Sequence, residues 1–366
     1  MSADSLTDHL LTVHRVVSSR YPDIDRVALA TYDPVTDLLR TFASSNHDGI
    51  PLEHYEARLS SVPSLAALAQ THQSRVVNDI AANFQGPSSH TDWLKARDYQ
   101  SSFTVPIYHG DALAAFLFFD SKRPGAFSPD TAAFLEVFAN LISQMYLMQL
   151  QVLHSMVGSV HLVSGLARIR DLETGQHLDR MGAYSLLMAR GLAERLHLSD
   201  EFIEYVYLFA PLHDIGKVGI PDSVLLKPGK LTEEEWVIMR RHVEIGETII
   251  NQMGQGITMG STLATQVMHN IVTGHHERGD GSGYPRGLTM DQIPLEARIV
   301  AVADVYDALS NRRPYKKPWT EEAIVTELRR EADLGRLDHD CVEALLTAKA
   351  ERQAILSRFM ELEALA

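Results

Sequence analysis

The chain has 366 residues, 45% hydrophobic and 22% charged, the balance of a globular protein with room for two domains, which excludes a disordered or fibrous chain. Its formal net charge of −14 argues against wrapping duplex nucleic acid, although bound cations can reverse the field inside one cleft. The longest compact apolar run, Ala112 to Phe119, is far shorter than the roughly 20 residues that cross a bilayer. "MSADSLTDHL" lacks the regions of a signal peptide, and Cys341 is the single cysteine. A cytoplasmic protein with no membrane span and no intrachain disulfide is expected.

In chain order, "RVALATYD" and "LLRTFASS" read as paired strands joined by "PVTD". "SLAALAQTHQ" reads as helix and "AANFQGPSSHTD" as a turn-rich loop. "SSFTVPIYHGDALAAFLFFDS" reads as a hairpin turning at His109-Gly110-Asp111. Roughly residues 7–150 resemble a GAF domain, and the likeness is carried by "FTVPIYHGDALAAFLFFDSKRPGAFSPDTAAFLEVFANLISQM". The resemblance implies a sensory module on an antiparallel sheet; its ligand is unknown.

Ser128-Pro129-Asp130 starts a long helix, with a hydroxyl at the N-cap and proline in the first turn. Phe134, Phe138, Leu141, Met145, Met148 and Val152 recur along it at gaps of 4, 3, 4, 3 and 4. Two readings stand side by side: the seam of a homodimeric coiled coil, or a terminal helix packed on its own sheet. From Leu153 onward the pattern is helical, as in "GAYSLLMARGLAERL", "EEEWVIMRRHVEIGETII", "ARIVAVADVYDALS" and "TEEAIVTELRREA". The expected fold is therefore a multidomain α+β chain: a GAF-like sheet domain over 1–128, a connecting helix over 129–165, and an all-α bundle over 166–366.

Ligand chemistry concentrates in the helical half. In "RDLETGQHLDR", Glu173 and His177 stand at i and i+4 on one helical face, a pair that alone is more often simply exposed. In "LHDIGKVGIPD", His213 and Asp214 fall in an apolar helical context, where an unpaired carboxylate costs several kcal/mol and a cation would satisfy it. Lys217, four residues after His213, shares that face. His242, His275, His276 and Asp304 follow; Asp304 alone reads as a buried aspartate capping a loop. Together these are five imidazoles and three carboxylates with no thiolate, a set that suits iron or manganese, and also zinc or nickel, and exceeds the needs of one ion.

About residues 153–350 resemble the HD-GYP phosphodiesterases of the HD superfamily. The blocks that carry it are "RDLETGQH", "HDIGKVGIPDSVLLKPGKLTEEEW", "RRHVEIG", "HHERGDGSGYPRGL" and "IVAVADVYDALSNRRPYK". The resemblance implies metal-dependent hydrolysis of cyclic di-GMP to linear pGpG, with a second cut to GMP left open. Its ligands would be Glu173, His177, His213, Asp214, His242, His275, His276 and Asp304, with Asp214 bridging. A carboxylate at Glu173 is associated with three ions and its absence with two. Lys217, Arg313 and Lys316 would contact substrate, although without the likeness residues 312–317 read as a solvated basic loop. Gly283, Tyr284 and Pro285 would form a wall of the site, with Gly281, Gly283 and Gly287 letting the backbone turn. Two alternatives stay open: hydrolysis of a mixed cyclic GMP-AMP dinucleotide, and a catalytically silent receptor. The connection from His242 to His275 is longer than usual in the family, which leaves base preference unread.

Overall fold

A six-stranded antiparallel sheet in the order β3-β2-β1-β6-β5-β4 is the skeleton of the N-terminal half in the computed structural model. The structure describes the chain apart from residues 1–5, 35, 48–51, 53, 84–88, 169–174, 257–262, 312–318 and 366. It divides into two units, one largely residues 1–151 and the other largely 152–366.

The first unit runs α1 (Leu6–Arg20), β1 (Arg26–Asp33), β2 (Leu38–Asn46), β3 (Glu56–Arg58), α2 (Pro63–Leu68), β4 (Arg75–Val77), α3 (Ile80–Asn83), α4 (Ser89–Ala96), β5 (Ser101–His109) and β6 (Ala112–Ser121). The helix α5 (Pro129–Arg168) follows. The two hairpins read from the sequence are β1/β2 and β5/β6, and β1 pairs with β6 to join them. β6 is buried from Ala114 to Ser121 because both its faces are covered. Phe116 and Phe118 pack with Leu39, Leu59, Val62, Leu65 and Leu68 on one side. Phe119, of opposite parity, stacks on Phe103, which meets Phe127. The expected helix at "SLAALAQTHQ" is only the short α2, and α4 begins inside the stretch read as a loop.

At the end of the sheet Arg26 and Asp120 are cross-strand partners and form a fully buried ion pair of 2.5 Å. Ser102 Oγ donates to the other carboxylate oxygen at 2.7 Å. The charge is thus paired and hydrogen-bonded, the condition under which burial is tolerated.

Ser128 caps α5, its Oγ accepting from Thr131 N at 3.1 Å. Leu135, Ala139, Ile142 and Tyr146 form the buried stripe of this helix, and Tyr146 meets Phe42 of β2 edge-on. The neighbouring stripe is more open: Phe134, Phe138 and Met145 are half-buried, and Leu141 and Met148 are 52% and 66% exposed. The side chain of Val152 lies outside the described residues. The helix thus has one face spent on its own domain and a second apolar face beside it. Pro129–Gln151, 23 residues with an 18-residue window of mean hydropathy 1.2, is long and apolar enough to cross a membrane by length and composition alone.

The second unit comprises α6 (Gly175–Leu196), α7 (Asp200–Phe209), α8 (Asp222–Leu225), α9 (Glu233–Arg240), α10 (His242–Gly256), α11 (Leu263–Gly274), α12 (Leu295–Ser310), α13 (Glu321–Asp333), α14 (His339–Thr347) and α15 (Lys349–Leu365). On α6, Met181, Tyr184, Met188 and Leu192 are buried at helical spacing. α12 is the innermost helix: Ala297, Ile299, Val300, Ala301, Val302, Ala303 and Tyr306 are all buried, so it has almost no polar face. Side chains such as Asp304 and Asp307 therefore project among protein groups and must be satisfied there.

Candidate metal centre

Two differences from the expected helices shape the site. α7 ends at Phe209, and His213 and Asp214 lie between two 3₁₀ turns, Ala210–Leu212 and Ile215–Gly219, instead of on an α-helix. The stretch read as one helix, "EEEWVIMRRHVEIGETII", is two, α9 and α10, which meet at Arg241. Because the helix is broken at His213-Asp214, the two side chains are not held to the divergence of about 100° that neighbours have on a continuous α-helix.

Asp214 is central. His213 Nε2 is 3.1 Å from its Oδ2, and His242 Nε2 and His275 Nε2 are 3.3 and 3.8 Å from its Oδ1. One ligand atom each from Asp214, His242, His275 and His276 lie mutually within 4.8 Å, and the same holds for His177, His213 and Asp304. The two groups adjoin through His213, whose ring centroid is 5.5 Å from that of His177 and 5.1 Å from that of His275. Seven of the eight expected ligands thus meet at one place. Glu173 lies outside the described residues, as do Arg313 and Lys316.

Each of four imidazoles is held by its far nitrogen. Nδ1 of His213, His242 and His275 bonds to the carbonyls of Ala210, Met239 and Ile271 at 2.9, 2.8 and 3.0 Å, and Nδ1 of His177 bonds to Asp307 Oδ2 at 2.7 Å. A carbonyl can only accept, so Nδ1 carries the proton and the Nε2 lone pair faces inward. These four Nε2 atoms and Asp214 Oδ1 are buried and have no hydrogen-bond partner. Unpaired buried acceptors converging on one point are costly unless a cation takes them up, so the donor set fits a divalent ion. Burial holds His242 and His276 below the usual imidazole range, keeping them neutral and able to ligate. Burial also pulls His213 down, but the adjoining Asp214 carboxylate outweighs it and lifts His213 to about 9, so its Nε2 would become a ligand when a cation takes the place of that proton beside Asp214. Asp214 stays well below the carboxylate range because Lys217 and His213 outweigh its burial.

Lys217 Nζ lies 2.9 Å from Asp214 Oδ2, one 3₁₀ turn along and not on a shared α-helical face. Gly283, Tyr284 and Pro285 lie beside the cluster. Tyr284 stacks on His276 at 4.7 Å, Arg240 lies 5.2 Å over the Tyr284 ring, and burial raises the Tyr284 phenol above its usual range. The Tyr284–Pro285 bond is cis. Gly281 and Gly287 have φ of +79° and +64°, whereas Gly283 is required by crowding, since a Cβ there would overlap the backbone of Glu277 and Arg278. Glu277, buried, accepts from Arg286 N and Leu288 N at 2.8 and 2.9 Å and holds the loop in place. The sequence reading missed Arg240, Glu277 and Asp307. Asp307 alone left a usable signal, standing one turn from Asp304 on an otherwise apolar helix.

Residues 168–341 match the family model of the HD domain, and residues 8–145 that of the GAF domain. The chain carries a GAF domain followed by an HD domain. Over 202 residues, 54% of the chain, it is 48% identical to half of the cyclic di-GMP phosphodiesterase response regulator RpfG of Xanthomonas campestris. It is 42% identical over 193 residues, 52% of the chain, to 49% of a cyclic di-GMP phosphodiesterase of Thermotoga maritima. It is also 43% identical over 188 residues, 51% of the chain, to 34% of the 3'3'-cGAMP-specific phosphodiesterase 2 of Vibrio cholerae. The chain spans half or less of the length of these relatives.

Proposed function

We propose that this protein is a metal-dependent phosphodiesterase that opens cyclic di-GMP to linear pGpG, under the control of its GAF domain. The observation that carries this reading is the convergence of unpartnered, buried Nε2 atoms and Asp214 Oδ1 on one point. Divalent ions bound there would activate water near neutral pH and offset charge on the phosphodiester. The nitrogen and oxygen donors favour iron or manganese, and Glu173 would complete a place for a third ion.

The chain's own groups do the rest. Asp214, reached by ligands from both groups, is the shared carboxylate. Lys217, partly exposed beside it, holds a phosphate oxygen as a point charge. Arg313 and Lys316 supply further phosphate contacts. Gly283, Tyr284 and Pro285 bound the cleft, with Tyr284 held between His276 and Arg240. The apolar outer stripe of α5, with Leu141 and Met148 exposed, favours a homodimer through this helix. A cytoplasmic setting suits a soluble dinucleotide substrate, and the GAF domain takes a small-molecule ligand of its own.

The V. cholerae relative favours a second reading, hydrolysis of 3'3'-cyclic GMP-AMP. Metal-loaded protein incubated with each dinucleotide, with chromatography of the products, tests both. We expect pGpG from cyclic di-GMP. Faster turnover of cyclic GMP-AMP would select the second reading, and binding of either without product would leave a receptor.

A further inference from the structure

His177 is anchored unlike the other imidazoles of the centre. His213, His242 and His275 lean on backbone carbonyls, which are neutral and fixed by the fold. His177 leans instead on the carboxylate of Asp307, which is 3% exposed. That carboxylate is gripped on all sides. Its Oδ1 accepts from Arg180 Nε at 2.6 Å and Asn311 Nδ2 at 2.8 Å, while Oδ2 accepts from His177 Nδ1 at 2.7 Å and Arg180 Nη2 at 3.0 Å. Four donors on two oxygens leave the group no freedom to rotate. A buried carboxylate behind an imidazole fixes the ring's tautomer and raises the donor strength of its other nitrogen, and removing such an outer partner typically costs 10–100-fold in metal affinity.

We infer that Asp307 is the positioning residue of His177, giving the His177–His213–Asp304 half of the centre an ionic anchor, where His242 and His275 of the other half are held by backbone carbonyls. This rests on the metal-centre reading above. It differs from a plain structural salt bridge in what one substitution does. Asp307→Asn keeps the shape of the side chain but offers one acceptor and two donors. With its oxygen towards Arg180 Nε and Asn311, its NH2 faces His177 Nδ1, opposing only one donor, Arg180 Nη2, and forces the proton onto Nε2, so the ring can no longer ligate. With its oxygen towards His177, its NH2 opposes both Arg180 Nε–H and the Asn311 amide, so the first arrangement is preferred.

The test uses the full-length chain. Metal content per chain is measured after loading with manganese and desalting, alongside long-range 1H–15N spectra of the metal-free protein, with His177 assigned through His177→Gln. We expect the parent His177 to be the Nδ1–H tautomer. Asp307→Asn, folded by circular dichroism, should hold one ion per chain fewer than the parent and show His177 as Nε2–H. Full metal content with an unchanged His177 signal would overturn the inference, as would a folded variant that loses every ion. Should the variant fail to fold, the parent spectrum decides: Nε2–H at His177 refutes the role. A parent that binds no metal at all would instead overturn the metal-centre reading itself.

Discussion

Asp214 stands within 3.1 to 3.8 Å of three imidazole nitrogens and 2.9 Å of Lys217, and the carboxylate and the lysine make opposite predictions. Asp214→Ala removes the carboxylate at the meeting point of the ligand set, so both metal content and turnover should fall to background. Lys217→Ala removes a charge that ligates nothing, so metal content should hold while turnover drops about 100-fold, the usual effect of deleting one stabilising donor. Elemental analysis beside steady-state kinetics separates the two, and equal metal loss in both would show that Lys217 supports the ligands. In the GAF domain, Asp120→Ala strands the Arg26 guanidinium in the core. Urea unfolding should register a loss of about 3–5 kcal/mol; a loss under 1 kcal/mol would mean that water reaches Arg26.

At the scale of elements, the 3₁₀ turn after His213 can sit close against α10 only because residue 216 is glycine. A Cβ there would overlap the His242 carbonyl and Gly246 N, both backbone atoms that cannot step aside. Gly216→Ala should therefore cost about 1–3 kcal/mol and spread Asp214 from His242, which a lowered melting temperature together with weakened metal binding would register. This turn also marks where the sequence became hard to read. Strands β1, β2, β5 and β6 were legible because β-branched and aromatic runs are punctuated by His-Gly-Asp and Pro-Val-Thr-Asp, and seven of the clustered ligands were named from residue type and motif. The apolar run through "YVYLFAPLHDIGKVGI" hid the 3₁₀ turns, because both helix types bury apolar residues; Pro211 was the one clue that α7 stops. The break between α9 and α10 has no proline or glycine to announce it; there His242 Nδ1 takes the Met239 carbonyl. Asp307 stood in view one turn from Asp304, but its partner did not: on a helix with so many buried positions, periodicity does not say which neighbour an aspartate meets.

At the scale of the whole molecule, every clustered ligand belongs to the HD domain and none to the GAF domain. Chelation should thus lower the melting transition of the HD domain and leave that of the GAF domain in place, in scanning calorimetry of the full chain with and without a chelator. With free metal at 100 times its dissociation constant, the stabilisation lost is about 2.7 kcal/mol. A single transition moving as one would show that the two domains unfold together.

The clustered ligands come from α6, the turn after α7, the start of α10, the end of α11 and α12, so a cation seated among them closes every loop between those segments at once. It would act as a multi-armed cross-link in a chain whose lone cysteine is buried and unpaired. Closure of this kind takes freedom from the unfolded chain, and its benefit grows only slowly with loop length, so many short and long arms contribute comparably. Metal supply would then set how long the protein survives in its folded form as well as how fast it works.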